Sequence, residues 1–162
     1  MRVKNQDLDG LILDWAVAQG TGMPVLIDRQ GRLVFHIKNL KRLGLENDLF
    51  SRSPDAPWVV YNPSSSLSLG GALIEDEGIE TSCNRTAREA AQFKGATASW
   101  RAAYRGRWPT DEVCWGVTHL KAAMRCLVRK HLGVVVDIPE NVLAAMMKAQ
   151  ASADAAASRM NA

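Results

Sequence analysis

The chemistry this chain can do is concentrated in a few short stretches. The most suggestive is Ser64-Ser65-Ser66, followed closely by Gly70-Gly71. Serines at a helix start sit among unpaired backbone amides and the positive end of the helix dipole, a setting that can hold an anion. The two glycines leave an approach that no side chain blocks. The same residues also describe a capped surface turn, in which a serine oxygen satisfies the amides itself, and that is the commoner outcome. The stretch is not a phosphate loop, because the lysine and glycine spacing that cradle a nucleotide are missing. Arg125, beside an apolar helical stripe, is the cation to watch: from a helix it can reach out to hold a loop or an anion.

A second stretch interleaves cations and rings: Arg101, Tyr104, Arg105, Arg107 and Trp108. Arginine pairs with phosphate bidentately and an aromatic face stacks on a base, so nucleotides or single-stranded nucleic acid fit this chemistry. A solvated strand end with core aromatics has the same composition and is the more ordinary reading. Cys114, His119, Cys126 and His131 are metal-ligand types, but their spacing matches no standard zinc pattern. No metal and no cofactor is expected. Glu75-Asp76-Glu77 with Glu80 resembles a solvated acidic surface more than an acid–base pair. A Gly-x-Ser-x-Gly elbow is absent, so an enzymatic reading has no anchor.

These residues must be held by something. With 162 residues and 47% hydrophobic content, the chain has the size of one domain with a buried core. A net charge of +3 is too small to imply nucleic acid on its own. No apolar run reaches the ~20 residues of a membrane helix, and the N-terminus lacks a signal-peptide core. Cys83, Cys114 and Cys126, odd in number and widely spaced, suit free thiols in a reducing compartment. A cytoplasmic protein with no membrane partner is expected.

Apolar residues at three- and four-residue spacing predict a first helix over Asp7–Gln19, with Asn5 or Asp7 able to cap it. Val25–Ile27 and Leu33–Ile37 around Asp28–Gly31 predict a hairpin. A short helix over Leu40–Leu45 and then a loop to Pro57 should follow. Trp58–Tyr61 reads as a strand, and the serines as the cap of a helix running to about Asp76. Ile79–Cys83 and Ala96–Tyr104 read as paired strands around an Asn84–Gly95 connector. Gly116–His131 is the clearest helix, with Leu120, Ala123, Met124, Leu127 and Val128 in one stripe. Val134–Asp137 should be extended, and a last helix should start near Glu140. Beyond Gln150 the Ala/Ser-rich composition predicts a frayed or disordered tail.

Two separated segments carry a resemblance. PSSSLSLGGALIEDEGI is similar to the Pro-Ser-Thr-Asp-Trp…Gly-Gly-Pro-Ile-Ile-Glu segment of phage NinX-like proteins. GVTHLKAAMRCLVRKHLG is similar to their Gly-Pro-Thr-Pro-Leu…Ala-Ala-Met-Arg helix, and LDWAVAQG to their first helix. The matching positions run from Pro63 to Glu75 and from Gly116 to Arg125. Ser66 stands where the family often has an acid, Leu67 where it often has tryptophan, and Ala72 where it often has proline. The resemblance implies a phage or prophage accessory protein with an α+β fold, and no particular activity.

The expectation is therefore a single α+β domain over residues 1–150, a small antiparallel sheet packed by two to four helices, with a tail over 151–162. The expected function is non-enzymatic binding of a host protein or a small anionic, nucleotide-like ligand in the host cytoplasm. The ligand set would be Ser64, Ser65, Ser66, Gly70, Gly71, Thr118 and Arg125. The alternatives are nucleic-acid binding through the Arg101–Trp108 run and an enzyme of unrecognised type. Homo-oligomerisation is left open.

Overall fold

Packing against one central helix organises the molecule. The structure, a computed structural model, describes residues 1–43, 57–83, 100–106, 113–148 and 151. The expected 44–56 loop, the 84–99 connector with the start of its following strand, and the tail from 152 lie outside the described residues.

Helix α1 (Gly10–Thr21) buries Ile12, Leu13, Ala16 and Val17 and ends at Gly22, whose φ of 65° is the left-handed cap that glycine adopts without strain. It begins later than the apolar spacing predicts. Asn5–Asp7 form a 3-10 turn, and the buried Asn5 amide donates to Arg125 O at 2.9 Å instead of capping α1. Asp9 occupies the cap position but makes no side-chain cap; its carboxylate pairs with Lys121 at 2.6 Å.

Helix α2 (Leu67–Glu77) follows the serines, and helix α3 (His119–Leu132) is the central one. The predicted stripe Leu120, Ala123, Met124, Leu127 and Val128 is buried. Arg129, Lys130 and His131 close its last turn, where cations favour the dipole. A further helix, α4, spans 140–148.

Among the described residues, strand content is split among three small antiparallel sheets. Strands β2 (Leu26–Ile27), β3 (Leu33–His36) and β4 (Trp58–Val60) form the first, with the predicted hairpin closed by Asp28. Its Oδ1 accepts from the Gln30 and Arg32 amides at 2.8 and 2.9 Å. Strands β5 (Ile79–Cys83), β6 (Trp100–Tyr104) and β7 (Cys114–Gly116) form the second, laid on α3. Strand β7 takes the residues before α3, so that helix starts at His119, with Thr118 accepting from the Lys121 amide. A Cβ on Gly116 would lie 2.5 Å from Ala122 N, so only glycine lets β7 approach the helix this closely. The third sheet joins β1 (Arg2–Lys4) to β8 (Val135–Asp137). The fold is α+β, as expected, although its strands are divided rather than gathered in one sheet.

Candidate functional site

The serine stretch is held by hydrogen bonds within the fold, with Ser64 buried, Ser66 half-buried and Ser65 exposed. Ser66 caps α2, its Oγ accepting from the Leu69 amide at 3.5 Å. Ser65 Oγ donates to Asn62 O at 3.3 Å. Ser64 is buried, and its amide donates to Asp14 Oδ1 at 2.8 Å. Burial raises the Asp14 carboxyl from its ordinary 3.8 to about 6, against the opposing pull of hydrogen bonds from Ser64. Tyr61, also buried, packs edge-on against Phe35 with ring centroids 5.7 Å apart. Burial raises its phenol as well.

Gly70 does permit a close approach, but of protein. A Cβ there would fall 2.3 Å from Pro63 O and 2.8 Å from Leu120 Cδ2. This glycine lets α2 rest on the serine loop and on α3, so the two family-like segments do meet. Gly71 faces an open groove of about 590 Å³ with Leu43, Leu67, Ser68, Ala72, Glu75 and Asp76. Two carboxylates line it, which is the wrong charge for an anion. Among Ser64, Ser65, Ser66, Gly70, Gly71, Thr118 and Arg125, only Gly71 lines this groove.

Arg125 serves the fold. Its Nε and Nη2 donate to Leu8 O at 3.0 and 2.8 Å, and Nη1 donates to Trp115 O at 2.6 Å. The guanidinium thereby ties the entry of α1 to β7 across α3, and none of these hydrogen bonds goes to the serines. Burial lowers its pKa, and nearby Asp9 opposes that.

The basic and aromatic run is dispersed. Arg101 and Tyr104 point to opposite faces of β6, an odd separation on a strand of period two. Tyr104 lies under Lys130, whose Nζ is 4.5 Å from the ring centroid, and its hydroxyl meets Glu77 at 3.5 Å. Arg105 pairs with Glu80 at 3.5 Å. Arg107 and Trp108 lie outside the described residues.

The metal-ligand types are likewise engaged separately. Cys114 and Cys126 are buried neighbours, and the Cys114 thiol is lowered first by its hydrogen bond with Cys126 and then by Arg129. His119 rests against Trp100, and His131 pairs with Glu77 at 3.0 Å.

What composition did not reveal is the outer face of the first sheet. The register places Leu26, Val34 and Val60 in one row across β2, β3 and β4, with His36 and Trp58 beside it. The opposite face turns Ile27, Leu33, Phe35 and Val59 toward the core. Yet the outer row is apolar too, and around a buried Val34 much of this face is open: Leu26 is 58% exposed, Trp58 48% and Val60 37%. Trp58 stands edge-on to His36, ring centroids 5.3 Å apart. An open groove of about 450 Å³ runs over this face, bordered by Asp28, Arg29 and Arg32. The signal was the run Trp58-Val59-Val60, apolar at every position where a half-exposed strand alternates with polar residues.

Fold and site together define a small α+β protein that engages Asp14, Ser64 and Arg125 within the fold and presents an apolar sheet face outside. The chain belongs to the bacteriophage P22 NinX family, whose model matches residues 4–131. It is a phage accessory protein, in which Ser66 caps α2 and Leu67 is an exposed residue of the neighbouring groove. Among curated proteins nothing matches the chain.

Proposed function

We propose that this accessory protein acts without catalysis, by binding a host protein in the host cytoplasm through the outer face of the β2–β3–β4 sheet. The observation that carries this reading is the exposed row of Leu26, Trp58 and Val60 on a face that a monomer would ordinarily make polar. Tryptophan gives up much apolar area when covered, and is enriched among residues that dominate protein–protein binding. The small-anion reading has less to stand on. The Ser64 and Ser66 groups and the Arg125 guanidinium are engaged within the fold.

The test is quantitative capture of host proteins on the immobilised chain, comparing wild type with Trp58→Ala and with Arg105→Ala as a surface control. Expected is a specific host protein retained by wild type and Arg105→Ala but lost by Trp58→Ala, with all three proteins equally folded. If the captured set is indifferent to Trp58 while a nucleotide raises the melting temperature, the small-ligand reading takes its place.

A further inference from the structure

We infer that the partner is recognised as an added β-strand: an extended, net-acidic segment that pairs with the open edge of β4 and sets apolar side chains against Trp58 and Val60. This rests on the protein-binding reading above and specifies its geometry.

The edge follows from the hydrogen-bond phase of the sheet. Tyr61 N donates to Leu33 O and Ile37 N to Pro57 O, both at 2.8 Å. In an antiparallel ladder the bonded pairs recur every second residue, so Val59 bonds Phe35, while Trp58 and Val60 turn their amides and carbonyls away from β3. On the other side of β3, Asp28 N donates to Arg32 O at 2.9 Å, which makes Leu26 and Val34 the bonded pair and sends the Val34 groups to β2. The two phases agree. Among the described residues no strand pairs with the far edge of β4. It presents two N–H and two C=O groups in the spacing that an incoming strand uses.

Side chains and charge narrow the occupant. Trp58 and Val60 lie on the same face as that groove, so every second side chain of an added strand would pack beside them. The border carries Arg29 and Arg32, with Asp28 already paired to Arg32 at 2.8 Å. Two arginines against one carboxylate on this border favour acidic residues in the segment and discourage basic ones. A strand-forming peptide alternating apolar and acidic residues satisfies edge, face and border together.

The experiment selects short random linear peptides on the immobilised full-length chain, then measures the best binder against variants. Expected are peptides with apolar residues at alternate positions and an excess of Asp and Glu. In hydrogen exchange the Val59 amide should be protected in the free protein, and the Trp58 and Val60 amides should become protected only on binding. Val60→Pro removes an outward amide at an edge position that tolerates proline, whereas Val60→Ala keeps it. The proline variant should bind roughly tenfold more weakly than the alanine variant. Should Val60→Pro not fold, the wild-type chain is tested with peptides N-methylated at alternate residues: methylation in one phase should abolish binding, and in the other leave it nearly intact.

Binding that needs Trp58 but is indifferent to both methylation phases, or peptides with helical spacing, would overturn strand addition and leave the protein-binding reading standing. Selection of basic peptides would overturn the charge assignment. If no peptide is enriched and host-protein capture is also independent of Trp58, the protein-binding reading itself falls, and this inference with it.

Discussion

Asp14 provides the sharpest test of the energetics. It sits in α1, 5% exposed, and meets the Ser64 amide. Its carboxyl titrates at about 6 in the folded protein against an ordinary 3.8, so the native state holds a proton that the unfolded chain has already released. The Asp14 contribution is complete below pH 3.8 and is lost as pH rises through about 6. At about 1.4 kcal/mol for each tenfold in proton affinity, the loss is about 3 kcal/mol. Asp9 and Glu77 act in the opposite sense. In both, burial is outweighed by hydrogen bonds from Lys121, or from Lys130 and His131, which hold the carboxyl low. Their contributions fade as pH falls, so wild type alone would show a blurred curve. Asp14→Asn removes one titration and keeps an oxygen acceptor for Ser64. Urea unfolding of both proteins between pH 4 and 7.5, followed by tryptophan fluorescence, isolates the Asp14 contribution. The stability of Asp14→Asn relative to wild type should rise by about 2 kcal/mol across that window, the remainder of the loss falling below pH 4. A difference that stays flat with pH would refute the reasoning, and would mean that water or relaxation solvates the carboxylate.

Arg125→Met should lower stability by about 3 kcal/mol in the same assay, because it leaves Leu8 O and Trp115 O without their charged donors, and Arg125→Lys should recover only part, lacking the fork. Gly70→Ala should destabilise by about 2 kcal/mol through the clash with Pro63 O. Its neighbour Gly71→Ala, with nothing nearer than Leu67 Cδ1 at 4.0 Å, should instead stabilise α2 by up to about 1 kcal/mol, read as a rise in melting temperature. Glu77→Gln, breaking contacts to Lys130 and His131 at 2.8 and 3.0 Å, should lose about 1 kcal/mol near neutral pH and progressively less as pH falls below the ordinary Glu value of 4.5.

Local signals in the chain were legible where local physics decides the structure. The Asp28 turn, the Ser66 cap and the α3 stripe each follow from residues within a few positions of one another. Longer-range results were not. Nothing in Arg2–Lys4 points to Val135–Asp137, because a three-residue strand acquires its identity only from its partner. Gly116 reads as the first residue of a helix, whereas it ends β7, where its missing side chain admits the strand against Ala122. Arg125 illustrates the same point for function. A cation beside a core stripe has the same sequence signature whether it waits for a ligand or clamps two backbone carbonyls, and only the positions of Leu8 and Trp115 decide between them. The family-like serine stretch does lie near α3, but the Ser64 amide bonds Asp14 and the Ser66 hydroxyl caps α2, while Ser65 stays exposed. The exposed face around Trp58 lay in a strand that was recognised, on a side whose exposure no spacing rule states.

The β1–β8 pairing bears on how the molecule comes into being. Met1 binds Ile138 O through its ammonium at 2.8 Å, Asn5 binds Arg125 and Val134, and Leu8 receives Arg125. Apart from the Leu8 amide, which bonds Asn5 O within the 3-10 turn, these hydrogen bonds run from the first eight residues to segments more than 100 residues away. At roughly 5–20 residues per second of synthesis, that interval is on the order of ten seconds. This segment emerges well before the partners that hold it and is therefore among the last to be committed. The hairpin and α2 can organise early from contacts of short range, while the start of the chain stays unlatched until α3 and β8 arrive.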